Sequence, residues 1–223
     1  MNANLTALLA AQPSRAVWRQ IMGELLHAPA GEVEQLLARV EQAVSDWPDE
    51  LRTLTPALAR RLGSPFPPAL RLLRGLDTLR HGHGLHDAPD VERFFREVGF
   101  TRLHVFRLRY APFGDEGAEI IARQDLGLRE LTLGNCQIGN AGAIALASSP
   151  NLRELRALSL FSNQIGGEGA RASAESSVLT RLERLNLYGN ETPRDVMTEI
   201  GAVLKARGCR LIAHGNFGSR RYW

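Results

Sequence analysis

Residues 128–138 read LRELTLGNCQI, residues 155–165 read LRALSLFSNQI and residues 182–192 read LERLNLYGNET. Each opens on the frame LxxLxLxx and carries Cys or Asn in the ninth position. The copies follow one another at a spacing of 27 residues. Another copy lies upstream: residues 103–113, LHVFRLRYAPF, put Leu103, Phe106, Leu108 and Phe113 in the apolar slots, 25 residues before the next. Gly117, Gly142 and Gly169, each followed by Ala, fall at one place in successive units. A weaker unit is read from Leu76, with Leu79 in frame and His81 where an aliphatic belongs. Self-similarity at a fixed period of roughly 20–50 residues marks a stacked repeat architecture.

The frame dictates local structure. Leucines at slots four and six alternate, as a short strand with one buried face requires. Slot one turns inward just before the strand. The ninth-slot Asn, Asn163 or Asn190, can bond bare backbone groups of its own turn and of the neighbouring one, and Cys136 fills that slot in one copy. These three form the expected structural ladder. The second half of each unit has helical spacing, at 141–148, 168–176 and 194–207. Strand plus helix in every unit, stacked in parallel, predicts an α/β solenoid.

This pattern resembles the leucine-rich repeat family, and its repeat length resembles the ribonuclease-inhibitor-like class. The resemblance covers about residues 76–213 and is strongest from 103 to 192. It implies a short right-handed solenoid with parallel strands on the concave face and helices on the convex face. It also implies protein recognition: such surfaces bind many unrelated proteins, so the class of function follows and the partner does not.

A solenoid end needs a cap. Residues 1–75 read as a helical N-terminal capping or docking region, with helices expected at 3–11, 15–27, 32–45 and 56–62, punctuated by Pro13, Pro29 and Gly63. Residues 76–213 read as the solenoid with a final strand at 209–213. Residues 214–223 read as a basic aromatic tail with Phe217, Arg220, Arg221, Tyr222 and Trp223.

Composition narrows the function. Of 223 residues, 44% are hydrophobic and 23% charged, the balance of a globular chain. Lys+Arg 27 against Asp+Glu 24 leaves a net charge of only +3, which disfavours a dedicated nucleic-acid binder. Two distant cysteines make no disulfide framework, and no basic residue precedes the apolar stretch from Leu5 to Ala11. The expected setting is the cytoplasm with reduced thiols.

Slot directions select the candidate contact residues. The second slot holds His104, Arg129, Arg156 and Glu183, and the fifth holds Arg107, Thr132, Ser159 and Asn186. The seventh holds Arg109, Gly134, Phe161 and Tyr188, and the eighth holds Tyr110, Asn135, Ser162 and Gly189. The partner-binding set is Tyr110, Arg107, Arg109, Arg129, Thr132, Arg156, Ser159, Phe161, Arg184, Asn186 and Tyr188. Phe161 and Tyr188, on strands about 4.8 Å apart, are expected to stack on the open face. Exposed aromatics rimmed by Arg are the composition of an interface hot spot. Glu130, Glu154 and Glu183 interrupt the Arg strip, so an acidic protein is the expected partner rather than nucleic acid.

Other features carry less. His81, His83 and His86 lack an accompanying Cys or carboxylate motif and fit a loop better than a metal site. Cys136 is explained by the ladder and Cys209 by the terminal turn. No phosphate loop, nucleophile elbow or metalloprotease motif occurs. No catalytic residue, metal or cofactor is assigned. The expected function is non-enzymatic protein binding through the concave face. Regulation of an enzyme such as a small GTPase is an alternative by fold analogy alone, and nucleic-acid binding through the Arg strip is a weaker one.

Overall fold

The computed structural model describes residues 3–29, 31–54, 66–78 and 85–213. Seven strands, β1 (Thr53–Leu54), β2 (Gly75–Thr78), β3 (Val105–Arg109), β4 (Glu130–Gly134), β5 (Ala157–Ser159), β6 (Arg184–Asn186) and β7 (Arg210–Ile212), form one parallel sheet in chain order. Parallel neighbours need crossovers. From β2 onward each is a helix: α4 (Ala88–Val98), α5 (Gly114–Ala122), α6 (Asn140–Ser148), α7 (Gly167–Glu175) and α8 (Arg194–Ala206). The fold is an α/β solenoid preceded by a helical region of α1 (Ala3–Ala10), α2 (Arg15–Leu26) and α3 (Val33–Ala43).

The register explains the repeat. Slot-four residues Leu54, Leu76, Phe106, Leu131, Leu158 and Leu185 align in one buried row. Slot-six residues Leu108, Leu133, Leu160 and Leu187 form a second. The slot-two carbonyl accepts two N–H groups from the next turn, at Arg52, Arg74, His104, Arg129 and Arg156 alike.

That backbone motif corrects two expectations. The stack begins at Thr53, inside the segment read as helical, and the turn read from Leu76 starts three residues earlier. Leu73 and Leu76 occupy slots one and four, and both are buried. The boundary drawn at 75/76 therefore cuts strand β2. Helix α4 was not expected. Asp87 caps it by accepting from the Asp90 N–H at 2.8 Å, and Gly99 ends it at φ 61°. Its Phe94 and Phe95 pack on Phe66, Phe100 and Phe106. The expectations on residues 56–62, Leu79, His81, His83 and 214–223 lie outside the described residues.

The helical layer is tied turn to turn by side chains. Asp115 Oδ1 accepts from the N–H groups of Gly139 (2.6 Å) and Gly142 (2.9 Å) at the start of α6. Asn140 Oδ1 does the same for Gly166 (2.9 Å) and Gly169 (3.0 Å) at the start of α7. Each helix start is thus capped by the preceding turn. The repeating Gly is what permits this approach: a Cβ at Gly142 would lie 2.6 Å from Asp115 Oδ1 and 3.0 Å from the Ala118 Cβ. At the helix ends, Ser149 Oγ donates to the Ala122 carbonyl, Ser176 Oγ to that of Ala147, and Arg207 to that of Ala174.

The helical region docks on this stack. Ser14 caps α2, whose Trp18, Ile21, Met22 and Leu25 are buried with Leu37 and Val40 of α3. Arg52 joins the two parts. It is 2% exposed, and its guanidinium donates to the Leu72 carbonyl through Nε (3.1 Å) and Nη2 (2.8 Å) and to the Val44 carbonyl through Nη1 (3.3 Å). It lies 5.9 Å from the centre of the Trp18 ring. One apolar core runs from Leu5 to Cys209. Among the described residues no helix is long and apolar enough to cross a membrane.

Candidate protein-interaction site

Slots three, five and seven point to the strand face opposite the helices. The slot-three row runs Thr53, Gly75, Val105, Glu130, Ala157, Arg184 and Arg210. The slot-five row runs Asp77, Arg107, Thr132, Ser159, Asn186 and Ile212. Arg107 and Arg109 both reach Asp77 at 3.2 Å, and Arg107 also bonds Glu130 at 2.7 Å. Arg184 approaches the other oxygen of Glu130 at 3.6 Å, passing over the small Ala157 of the intervening strand. The structure therefore brings Arg107, Arg109 and Arg184 together, as an ion-pair network rather than a basic strip. Glu130 interrupts the arginines as the sequence predicts, and Asp77 is the member that slot reasoning missed.

Several expected contact residues are less accessible than their direction implied. Thr132, Ser159 and Asn186 are buried, short side chains between longer neighbours, and so are Arg109 and His104. Phe161 is buried as well. Its ring lies over Gly134 of β4, where an added Cβ would lie 2.2 Å from ring carbons. Gly134 is the space that the ring occupies. Tyr188 is half-buried. Arg129 and Arg156 are exposed. Arg156 pairs with Glu183 at 3.3 Å, while Arg129 makes no ion pair among the described residues.

Tyr110 stands apart. It is 44% exposed, the one exposed large hydrophobic residue among those described. It occupies slot eight, where every turn from 103 onward takes a left-handed backbone: φ is 58° at Tyr110, 55° at Asn135, 53° at Ser162 and 73° at Gly189. Asn and Gly tolerate that conformation, whereas a bulky aromatic carries strain in it.

Beneath the face lies the ladder. Asn163 Oδ1 accepts from the N–H groups of Cys136 (2.9 Å) and Ile138 (3.1 Å), and its Nδ2 donates to the carbonyls of Leu133 (2.7 Å) and Leu160 (3.0 Å). Asn190 accepts from Ile165 N–H (3.1 Å) and donates to Leu160 (2.8 Å) and Leu187 (2.9 Å). Cys136 Sγ donates to the Gly134 carbonyl at 3.4 Å. Burial pushes its thiol up to about 12, so at neutral pH it holds its proton and is no nucleophile. Among the described residues no group of three or more His, Cys, Asp or Glu is placed to hold a metal.

At the edge of the face His104 Nδ1 donates to Asp49 at 2.5 Å, tying β3 to the loop after α3. Burial lowers the imidazole below its ordinary 6.5, with Arg129 and Arg102 acting in the same direction and Asp49 opposing. The unfolded chain then takes up a proton that the folded one resists. His104's contribution is intact above about pH 6.5 and is lost as pH falls through the folded value. Urea midpoints measured between about pH 7.5 and 5 should fall more steeply in the wild type than in His104→Gln. Equal slopes would remove His104 from the coupling.

A family model described as Leucine Rich repeat matches residues 128–147 and 151–172. Those spans hold β4 with α6, and the approach to β5 through most of α7. These two units are leucine-rich repeats. No curated protein matches the chain in sequence. Leucine-rich repeats generally mediate protein–protein interaction.

Proposed function

We propose that this protein is a non-enzymatic scaffold that binds a partner protein on the strand face of its leucine-rich repeat solenoid. The observation that carries the reading is Tyr110. A large aromatic is held exposed on a strained backbone, in a slot that the other turns fill with Asn, Ser or Gly. Strain kept at an exposed residue points to use of that residue. A parallel sheet behind it holds the side chain in place, so little ordering entropy is lost on binding. Arg129, Arg156 and Tyr188 extend the contact. Asp77 and Glu130 interleave with the arginines, which supports a protein with an acidic patch over a continuous polyanion. The unit spacing of 25–27 residues and the helical second halves support the ribonuclease-inhibitor-like class. A ladder thiol at Cys136 supports a reducing compartment, the cytoplasm.

The test separates stability from binding. Tyr110→Gly relieves the left-handed backbone and should leave stability equal or raise it by up to about 1 kcal/mol. In affinity capture from native lysate it should lose the partner that the wild type retains. A convex-face control, Arg171→Glu, should keep it. Capture unchanged by Tyr110→Gly would move the contact off this face.

A further inference from the structure

The strand face is not filled at its first turns. A cavity of about 270 Å³ lies between Arg15 and Trp18 of α2 and the strands carrying Gly75, Asp77, Val105 and Arg107. In the slot-three row Gly75 contributes no side chain between Thr53 and Val105, and the Thr53 side chain closes over it, with Cγ2 2.8 Å from where a Cβ would lie. In the slot-five row the Asp77 carboxylate is held toward β3 by Arg107 and Arg109, each at 3.2 Å. With that side chain drawn aside and only the small Thr53 covering Gly75, a depression remains.

Its electrostatics are lopsided. Asp77 and Glu130 already engage Arg107. Arg15 is different: it is exposed, sits in the first turn of α2, and makes no ion pair among the described residues. No acidic residue lies in that first turn, so the positive helix end adds to the Arg15 charge. The apolar part of the lining is Val105, half-buried on the strand side, and Trp18, buried on the α2 side. An uncompensated cation at the mouth and a hydrocarbon wall complement one kind of group.

We propose that this cavity is an anchor site for a carboxylate on an apolar stem, supplied by the bound protein. The acid meets Arg15 and the start of α2, and the stem rests against Val105 and the edge of Trp18. The inference rests on the protein-binding reading and names the feature of the partner that is recognised. The strand face would then read its partner at two places, Tyr110 and this cavity.

A small probe tests the cavity without the partner. The full chain, isotope-labelled, is titrated with 3-phenylpropionate, and the Gly75 amide and Val105 methyl resonances are followed. So small a ligand should bind on the order of millimolar. The shifts should saturate and be confined to the cavity. The neutral 3-phenylpropanamide and the Arg15→Glu variant should each weaken binding at least about fivefold, whereas Arg15→Lys, which keeps the charge, should retain most of it. Arg15 is exposed, so neither variant threatens the fold. Absence of saturable shifts at Gly75 and Val105, equal affinity for the amide, or unchanged binding by Arg15→Glu would each overturn the assignment. None of those results touches the Tyr110 capture experiment, so the cavity can fail while the binding face stands, and the reverse.

Discussion

Replacing Arg52 by Met should cost about 3–5 kcal/mol of folding stability, the largest loss we expect from a single substitution away from the apolar core. For a chain of this size that is a fall in Tm on the order of 10 °C. The guanidinium is buried, and among the described residues it has no salt bridge to a carboxylate. It is held by two carbonyls, Leu72 and Val44, and by the face of Trp18. Burial lowers its pKa to about 10, which leaves it charged at neutral pH. Met fills much of the volume but strands the Leu72 carbonyl in an apolar interior, while the Val44 carbonyl keeps the Trp47 N–H at 3.1 Å. An unmet buried acceptor costs about 1–3 kcal/mol, and the lost charged hydrogen bonds and the Trp18 contact add to it. Lys should not rescue: one ammonium on a flexible stem cannot reproduce a planar fork that spans two carbonyls. Thermal and urea unfolding of Arg52→Met and Arg52→Lys give the answer. A Met variant within about 1 kcal/mol of wild type would mean that the helical region docks by apolar contact alone.

Asn163→Ala should be the next most damaging change, at about 2–4 kcal/mol. The side chain satisfies two N–H groups and two carbonyls drawn from β4, β5 and the turns that follow them. Ala removes these and a fifth bond, to the Phe161 carbonyl at 3.3 Å, and leaves the two N–H groups and the Leu133 carbonyl in the core, while the Leu160 carbonyl keeps Asn190. Asn190→Ala should cost about half as much, because that side chain is half-buried and makes three such bonds. Equal losses at the two positions, read from urea midpoints at constant m, would refute the burial argument.

The turns from Leu103 onward were legible because four of them repeat every apolar slot at nearly one spacing. The two earlier turns were not. Leu51 and Leu73 stand 22 residues apart and Leu73 stands 30 before Leu103, so no constant period links them. Only the shared hydrogen-bond pattern at the Arg52 and Arg74 carbonyls reveals them. At the candidate site, alternation told the direction of a side chain and not its depth. Phe161 pointed to the correct face, but the glycine in the same slot of the neighbouring strand let the ring lie down. Gly134 was visible in the sequence, and a large residue beside a glycine in one row is the signal that would have found it. Asp115 and Asn140 were equally visible, each twelve residues after slot one of its unit, yet a polar residue at a helix start reads as a cap for its own helix. That it caps the next one follows only from the stacking.

This relay of caps stops at one position. The residue equivalent to Asp115 and Asn140 in the following turn is Gly167, and the residue equivalent to Gly139 and Gly166 is Pro193, which has no N–H to offer. A Cβ at Gly167 would meet Val196 Cγ2 at 3.2 Å. At the helix starts, then, the carboxylate or amide cap is absent between α7 and α8, and Thr192 Oγ1 donating to the Ile165 carbonyl at 2.9 Å and the exposed Arg171–Glu199 pair at 2.9 Å link the two units instead. In a one-dimensional array, stability is a sum of unit terms and nearest-neighbour couplings. The coupling between the last two units lacks the buried cap that links α5 to α6 and α6 to α7, so partial opening should propagate inward from β7 and α8, and amide exchange should be fastest there and slowest around β3 and β4.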